Sequence, residues 1–394
     1  MSVTTVFHGA SVLDPLGSFV DNVTVEVVDG VVRHVGSERG ARNSASNTSN
    51  TNDTVEHVDL ADHWLMPGVV DCHSHVSWND FHSSDRDAAT DEERQQGAVS
   101  ALGATIRAGV TSVRDAGGAT AALRDAVARG EITGPQLQIS VAMIDNAERG
   151  GVEHVRRRVR EVLDAGAGWV KLVATGGVMA PEGTELDSNF GPAEFQVAVD
   201  EANRVGARVM VHAWGGDAIR DAIAAGVSSI EHGMFLSMDD AQLAAAAGVT
   251  LVPTLTIYSE VNEMVRQGSL PAYILERTER VAAAHPVAVR LARDAGMRIA
   301  VGSDFGTSAQ HGRNLTEIAA LARAGLGTEA ALLSATSEGA QLLAEGDRRG
   351  RIAPGFIFDA IVLHRDPSDV AVFEQPDTVS AVFQGGRAVS ASID

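Results

Sequence analysis

Short runs of β-branched and other apolar residues alternate with longer Ala-rich segments between about residue 66 and residue 342. The longer segments carry apolar positions at helical spacing, and several end in Ala-Gly or Val-Gly directly before the next short run, as helices commonly do. Eight such units in succession favour an α/β fold of the (β/α)8 TIM-barrel type over a doubly wound sheet. Strands are predicted at residues 65–72, 111–114, 136–140, 169–173, 208–212, 229–231, 250–253 and 298–302, and helices at, for example, 92–108, 152–165, 192–205, 217–224 and 273–295.

The two ends of the chain show a different pattern. Residues 3–36 alternate apolar and polar positions with Asp29-Gly30 as a hairpin signal, and residues 356–364 and 378–389 predict further strands. We therefore expect one small β-sandwich domain, built from residues 1–64 and 350–394, beside a barrel of residues 65–349. The Ser/Asn/Thr tract at residues 44–53 contains no apolar residue larger than Ala45 and is predicted to be a disordered loop.

Composition and charge exclude several classes of protein. No apolar run reaches the ~20 residues of a membrane span, and the N-terminus lacks the pattern of a signal peptide. The net charge of −21 disfavours nucleic acid as a partner, and the cluster Arg156-Arg157-Arg158 is expected to be a solvated helix face. A single cysteine, Cys72, excludes an internal disulfide and predicts a cytoplasmic protein.

Lys171 is the only lysine in the chain, although lysine and arginine together total 31. It lies in the apolar run WVKLV at residues 169–173, which predicts a buried strand. A buried amine, unlike a guanidinium, can lose its proton, attack an electrophile or react with carbon dioxide to form a carbamate. The alternative is a lone lysine left by chance at a strand end.

Polar side chains occur at or near the C-terminal ends of the predicted barrel strands, where TIM barrels carry their chemistry. Alternation along the first strand places both of its histidines on one face, so that both imidazoles can reach one ion. Histidines, an aspartate and a modifiable lysine at one barrel mouth are a metal-site composition, although each histidine alone is as well explained by packing. A lysine carbamate has two anionic oxygens and would bridge two cations, which a neutral lysine would not. The residues are His73, His75, Lys171, His212, His232 and Asp304.

Short motifs surround these positions along most of the chain. They are MPGVVDCHSH at residues 66–75, GVTSVRDAGG at 109–118, VKL at 170–172 with TGG at 175–177, VHA at 211–213, IEHG at 230–233, PTL at 253–255, GSD at 302–304 and GRIAPG at 350–355. Together they resemble the amidohydrolase superfamily. Within it, the chain is similar to the branch of imidazolonepropionase-like proteins and metal-dependent dipeptidases, which includes prolidase-like enzymes and Xaa-Arg or Xaa-Lys carboxypeptidases.

The resemblance implies a binuclear zinc site. By it, His73, His75 and Asp304 would bind one zinc ion, His212 and His232 would bind the second, and N6-carboxylated Lys171 would bridge the two. Imidazolonepropionase itself matches less well, because its mononuclear site has no carboxylated lysine. The implied reaction is attack on an amide carbonyl by a metal-bridging hydroxide, with Asp304 accepting the proton and passing it to the leaving nitrogen. A homo-oligomer is a further expectation from the family.

Contacts to the substrate are less well defined by the sequence. Tyr258 is a candidate to hydrogen-bond the substrate carbonyl, His311 a candidate substrate contact, and Arg149 a candidate partner for a substrate carboxylate. A packed aromatic residue, a surface histidine and a solvated arginine are the respective alternatives. Cys72 and Glu231 are each expected to point away from the barrel mouth, because each alternates with a ligand position.

Several substrate classes stay open. Dipeptides or N-acyl amino acids are the first expectation, but the TGGHG stretch of the dipeptidase pattern is replaced here by MIDNAERGG at residues 143–151, which lacks the histidine. A second hypothesis is the hydrolysis of cyclic amides, ureas, carbamates or aryl amides, including foreign compounds. A third, from another class, is a non-catalytic barrel that serves as a scaffold, which the complete ligand set disfavours.

Overall fold

The structure is a computed structural model that describes residues 2–37, 54–78, 80, 88–146, 150–178 and 180–391. The loop predicted at residues 44–53 and the candidate Arg149 lie outside the described residues. The strands are β1 (Val3–Leu13), β2 (Phe19–Val28), β3 (Val31–Gly36), β4 (Thr54–Asp59), β5 (Trp64–Pro67), β6 (Val69–Ser74), β7 (Val110–Asp115), β8 (Gln136–Ile139), β9 (Met143–Asp145), β10 (Trp169–Val173), β11 (Arg208–Ala213), β12 (Ser229–His232), β13 (Thr250–Val252), β14 (Ala360–Leu363), β15 (Val379–Gln384) and β16 (Arg387–Ala391).

The α-helices follow the barrel strands, as the Ala-rich segments predict. They are α1 (Asp91–Arg107), α2 (Ala121–Ala128), α3 (Gly151–Asp164), α4 (Pro192–Arg204), α5 (Asp217–Ala225), α6 (Met238–Ala247), α7 (Leu255–Arg266), α8 (Leu275–Asp294), α9 (Thr316–Leu321), α10 (Thr328–Ser334) and α11 (Ser337–Leu342). Shorter helical turns are Ala272–Ile274, Ala322–Leu326 and Val370–Glu374. In the part of the chain that the structure describes, no helix has the length and apolar character needed to cross a membrane.

Local sequence explains where these helices begin and end. Ser237 caps the N-terminus of helix α6, because its hydroxyl accepts a hydrogen bond from the backbone N–H of Asp240 at 3.1 Å. It ends at Gly248, which adopts φ +72° and turns the chain directly into β13. Left-handed backbone of this kind favours glycine, which explains the Ala-Gly signal before the strand.

The barrel consists of the parallel sheets β6-β7-β8 and β9-β10-β11-β12-β13. Strands β8 and β9 share one of its eight positions, because β8 pairs with β7 and β9 pairs with β10. Its strands lie within one residue of the predicted ends at 111–114, 136–140, 169–173, 208–212, 229–231 and 250–253. The prediction of one strand at 65–72 differs from the structure, where β5 and β6 are separate strands with Gly68 between them. A Cβ atom at Gly68 would lie 2.3 Å from the Thr111 side chain, so this close approach requires glycine.

The eighth barrel segment is extended, but it pairs less regularly than predicted for residues 298–302. Ile299 forms an isolated parallel bridge with Leu251, and on the other side the Cys72 N–H donates to the Val301 carbonyl at 2.8 Å. The segment therefore lies between β13 and β6 and closes the barrel. Its last residue, Gly302, packs so closely that a Cβ atom there would lie 2.4 Å from Val252.

Strands from both chain ends form one separate sheet in the order β16-β15-β14-β5-β1-β2-β3, with β4 parallel to β1. Its apolar core contains Phe7, which stacks on Phe358 at 4.9 Å between ring centroids. We propose the domain division expected from the sequence, 1–64 with 350–394 beside 65–349. The boundary at residue 64 falls on the first residue of β5, whose pairing with β14 and β1 belongs to the terminal sheet.

Candidate metal centre

His73 and His75 lie at the end of β6 and point their Nε2 atoms toward Asp304. Each Nε2 lies 3.3 Å from the same oxygen, Asp304 Oδ1. The other ring nitrogens are held by hydrogen bonds: His75 Nδ1 lies 3.0 Å from the Gly117 carbonyl oxygen, and His73 Nδ1 lies 2.5 Å from Glu231 Oε2. Because each Nδ1 has an acceptor, the Nε2 lone pairs are left to face the centre.

Asp304 follows the eighth barrel segment in left-handed backbone, with φ +55°. The preceding residue is anchored to β6, because the Ser303 hydroxyl and backbone N–H both donate to Asp71, at 2.6 and 3.0 Å. Burial opposes ionisation of Asp304, but neighbouring His73, His75 and His232 outweigh it and hold its pKa well below the ordinary range. The side chain is therefore an anion placed among imidazoles.

His212 and His232 complete the ring of imidazoles, with their ring centroids 4.5 Å apart. His212 Nε2 lies 3.2 Å from the Gly176 carbonyl oxygen, and His232 Nδ1 lies 2.7 Å from the Thr254 hydroxyl. Burial lowers the pKa of His212 to about 4 and that of His232 well below its ordinary value. Both imidazoles are thus neutral at physiological pH, the form that binds metals.

The lone lysine points into the same cage. Lys171 is 2% exposed, and its Nζ lies 3.2 Å from His73 Nε2. Burial lowers the pKa of the amine from 10.5 to about 8, although Glu231 and Asp304 act in the opposite direction. The unprotonated amine, which reaction with carbon dioxide requires, is consequently a larger fraction near neutral pH than in an ordinary lysine, about a tenth at pH 7.

Glu231 contradicts its prediction, because it lies inside the barrel and contacts a predicted ligand. Its carboxylate accepts from His73 and from Arg114 Nη2 at 2.8 and 3.0 Å, and all three side chains are buried. Burial favours the neutral acid, but Arg114 and His73 bring the pKa of Glu231 down to about 2. The expectation that Glu231 points away from the mouth is wrong. Cys72 is buried in an apolar cluster with Trp169 and Met210, which supports a packing role.

The physical reason is the backbone at the end of β12. Ser229 and Glu231 alternate inward as period two requires, and both contact Arg114. His232 then adopts φ +71°, so that it also reaches the centre although it follows an inward residue. The prediction assumed that His232 has regular strand geometry and that Glu231, one residue before it, must point to the opposite face. Because His232 is left-handed, that assumption gave the wrong face for Glu231. An arginine and a glutamate within strongly apolar strands were the signal that could have identified the pair.

The start of α7 lies against His232. Thr254, which contacts His232, has φ +58°, and the next two backbone N–H groups donate to Glu317 at 2.7 and 2.8 Å. Burial raises the pKa of Glu317 to about 8. Glu317, which the sequence analysis did not identify, therefore fixes the start of the helix that carries Tyr258.

The two remaining candidates for substrate contacts, Tyr258 and His311, are both buried next to histidines of the site. The Tyr258 ring lies edge-on to His232 with centroids 5.5 Å apart, and its hydroxyl accepts from Trp214 Nε1 at 3.1 Å. Burial raises the pKa of Tyr258 well above its ordinary value, so the phenol keeps its proton. His311 is buried near His75 rather than exposed in a surface loop.

Three of these residues form a compact ligand set. His73, His232 and Asp304 each offer one ligand atom, and these atoms lie within 4.8 Å of one another. Two imidazole nitrogens and a carboxylate oxygen are donors that suit zinc and related divalent ions. The residues therefore fit a divalent metal ion. The sequence profile of the Amidohydrolase family matches residues 64–389.

The chain belongs to the amidohydrolase family.

Relatives of this amidohydrolase share nearly its full length. Ochratoxinase of Aspergillus niger is 26% identical over 97% of this chain and 86% of its own. The crystal structure of a prolidase complexed with N-methylphosphonate-L-proline is 28% identical, with a TM-score of 0.86 over 99% of this chain and 100% of that one. A Xaa-Pro dipeptidase with methionine bound in the active site is 25% identical, with a TM-score of 0.87 over 98% and 100%.

Family membership establishes the class of reaction and the fold. This amidohydrolase is a metal-dependent hydrolase of carbon–nitrogen bonds with a TIM barrel and a β-sandwich. The expectation of a hydrolase from the sequence is confirmed, and the scaffold alternative is set aside. Bound small molecules in the prolidase and dipeptidase structures are consistent with small-molecule substrates.

Proposed function

We propose that this amidohydrolase carries two zinc ions and hydrolyses the amide bond of dipeptides or N-acyl amino acids. The observation that carries the proposal is the position of Lys171, whose buried amine contacts His73 in a cage that also contains Asp304. Among the described residues this lysine has no ion-pair partner, and a charged amine in that position is costly to bury beside imidazoles. A carbamate at that position gives it a metal-binding role.

Six side chains would hold the metals. His73, His75 and Asp304 would bind the first ion, His212 and His232 the second, and N6-carboxylated Lys171 both. Zinc in such a site supplies a water of lowered pKa and polarises the amide carbonyl. Proton transfer and the hydrogen bond to the carbonyl oxygen are proposed for side chains of the protein.

Asp304 is suited to move the proton. Its pKa lies well below the ordinary range, so the carboxylate is ionised, and we propose that it accepts a proton from the attacking water as a weak base. Passing that proton to the leaving nitrogen lets the product depart as a neutral amine. Tyr258, a protonated phenol beside His232, is proposed to donate a hydrogen bond to the carbonyl oxygen as negative charge develops there.

The relatives support two different substrate classes for the same chemistry. The prolidase and the Xaa-Pro dipeptidase support dipeptides, and we place N-acyl amino acids with them because both present an amide next to a carboxylate-bearing carbon. Ochratoxinase, as its name states, acts on ochratoxin, and this similarity favours hydrolysis of foreign amides as the second candidate. The open substrate contacts His311 and Arg149 stay proposals under either candidate.

Amine release from a library of dipeptides and N-acyl amino acids, detected with ninhydrin, tests the proposal. The protein is produced with zinc and bicarbonate beside a Lys171→Arg variant, and the zinc content of both is measured. Hydrolysis by the wild type alone, with about two zinc ions per chain, is the expected result. Two bound zinc ions with no turnover of the library would move the proposal to cyclic amides, ureas and aryl amides.

The surroundings of the enzyme are proposed from the sequence. We infer a cytoplasmic homo-oligomer that binds neither nucleic acid nor membranes, in line with the charge of −21 and the single cysteine. Sedimentation velocity of the purified protein measures the oligomeric state, and a monomer at micromolar concentration would contradict the proposal.

A further inference from the structure

One side chain joins the loop that follows Asp304 to a neighbouring helix. Gln310, in this loop, is 5% exposed, and its Oε1 atom accepts from the backbone N–H groups of Gly306 and Thr307, both at 3.0 Å. Its Nε2 atom donates to Glu260 Oε2 of α7 at 2.9 Å. Because the oxygen faces two donors and the nitrogen faces a carboxylate, only this orientation of the amide satisfies all three hydrogen bonds.

The start of the loop is attached to the strand that carries two ligand candidates. The Asp304 N–H donates to the His73 carbonyl at 2.6 Å, and the His75 N–H donates to the Phe305 carbonyl at 2.8 Å. The loop is therefore held by β6 at its beginning and by α7, through Gln310, further on.

Close packing at Gly306 connects the loop to His75 a second time. A Cβ atom at Gly306 would lie 2.8 Å from the Trp78 ring and 3.5 Å from the Cβ of His75. The Trp78 ring stacks on the His75 imidazole, with centroids 3.7 Å apart and an angle of 15° between the planes. Since a packed interior transmits small displacements, a shift of Gly306 would move the indole that lies on this imidazole.

The other partner of Gln310 belongs to the helix that carries Tyr258. Glu260 lies two residues after Tyr258 in α7, and its Oε1 atom pairs with Arg313 Nη1 at 2.9 Å. Glu317 accepts from the backbone at the first turn of α7, whereas Gln310 contacts the helix one turn later. The amide thus lies between the chain segment of Asp304 and that of Tyr258.

We propose that Gln310 is a positioning residue of the metal centre, which holds the loop after Asp304 against α7 and so fixes Asp304 relative to Tyr258. A carboxylate in place of the amide would lose the donor and oppose Glu260, and a shorter amide would reach only one of the two sides. The proposal rests on Asp304 as a metal ligand and not on the identity of the substrate.

Zinc affinity tests this role without any substrate. Metal-free wild type, Gln310→Glu and Gln310→Asn are titrated with zinc in competition with a chromophoric chelator. Both variants should bind zinc at least about tenfold more weakly, as after the loss of a group that orients a ligand. Gln310→Asn introduces no charge, so it decides the matter if Gln310→Glu does not fold. Wild-type affinity in Gln310→Asn would overturn the proposal.

Exchange of the two partners tests the cause. Gln310→Glu combined with Glu260→Gln restores one amide and one carboxylate in reversed order, and the carboxylate at position 310 can still accept from the two backbone N–H groups. Zinc affinity should return to within about threefold of the wild type. Glu260→Gln alone keeps an oxygen acceptor for Gln310 and should stay in the same range. A double variant as weak as Gln310→Glu would overturn the proposed hydrogen bond as the positioning contact.

Gln267→Glu is the matched control. Gln267 is exposed and donates to Glu263 at 2.8 Å, so the same kind of amide–carboxylate contact is lost at the far end of α7. Zinc affinity should not change. A loss as large as in Gln310→Glu would mean that any disturbance of α7 weakens the site, which would overturn a specific role of Gln310.

Turnover at saturating zinc separates positioning from folding. On the library dipeptide that the wild type hydrolyses fastest, Gln310→Asn should lower kcat at least about tenfold and keep KM within about twofold, because Asp304 and Tyr258 are proposed to act in the transition state. A raised KM with unchanged kcat would overturn the positioning of these two groups. If the wild type hydrolyses nothing in the library, the proposed function fails, and the zinc affinities still decide the role of Gln310.

Discussion

Two equally buried glutamates lie near the metal centre. Glu231 contacts His73, and Glu317 contacts the start of α7. Their pKa values are shifted in opposite directions. The pKa of Glu231 is about 2, because Arg114 and His73 outweigh the effect of burial. The pKa of Glu317 is about 8, because burial outweighs hydrogen bonds from Leu255 and Thr256. In Glu317, neutral donors hold the buried carboxyl in place without keeping it ionised, whereas in Glu231 a nearby cation keeps it ionised. The surroundings of Glu231 are therefore stabilised by an ion pair, and those of Glu317 by hydrogen bonds between neutral groups.

Removing the charge of Glu231 should have the largest effect. In Glu231→Gln, Arg114 keeps its buried positive charge without a carboxylate, and we expect a loss of about 3–5 kcal/mol in the free energy of unfolding. Urea denaturation of the metal-free protein at pH 7 measures it. The zinc affinity should fall by about 10–100-fold as well, because His73 loses its orienting acceptor.

A double variant checks that cause. Arg114→Met combined with Glu231→Gln removes both charges, and its loss should be clearly smaller than the sum of the two single losses. Additive losses would mean that the ion pair is not what makes Glu231 important.

The second-largest effect is expected in the pH dependence of stability, to which the two glutamates should contribute with opposite sign. The folded-state pKa of Glu317 lies above its ordinary 4.5, so its stabilising contribution is complete below pH 4.5 and is lost as pH rises through about 8. Relative to Glu317→Gln, the wild type should therefore lose up to about 4 kcal/mol between pH 4.5 and 9. Glu231 works in the opposite sense, since its contribution is complete above pH 4.5 and lost as pH falls through about 2.

Denaturation midpoints of both proteins across pH 4.5–9 give this curve. A difference between wild type and Glu317→Gln that stays constant with pH would show that Glu317 is not protonated in the folded protein at neutral pH.

The smallest effect on stability and metal binding is expected where the start of α7 contacts His232. Thr254→Val removes the hydroxyl that lies 2.7 Å from His232 Nδ1 and preserves the shape of the side chain. We expect zinc binding to weaken by about tenfold with little change in stability. Thr256→Val is the matched control, since the Thr256 hydroxyl contacts Glu317 and not a ligand. A competition titration with a chromophoric chelator compares them, and equal affinities would exclude Thr254 as an orienting group.

The comparison also shows what the sequence could predict. Periodicity and helix-end signals were enough for the barrel strands, and the strand ends brought His73, His75 and Asp304 together because parallel strands share one mouth. Glu231 was assigned to the wrong face, since a left-handed residue at the strand end breaks alternation. Glu317 could not be found at all, because its role depends on α9 packing against the start of α7, a contact between residues 61 positions apart in the chain.

Because Lys171 is the only lysine, all other basic side chains of the Lys/Arg type are arginines, and this has a practical consequence for chemical labelling. Reagents that acylate side-chain amines find a single target in this protein, and that target lies inside the barrel. The extent of acylation at Lys171 is thus a direct count of molecules in which the amine is both uncapped and reachable. Peptide mass spectrometry after a short exposure would distinguish Lys171 from the N-terminal amine, which such reagents also acylate, and would report that fraction without any substrate.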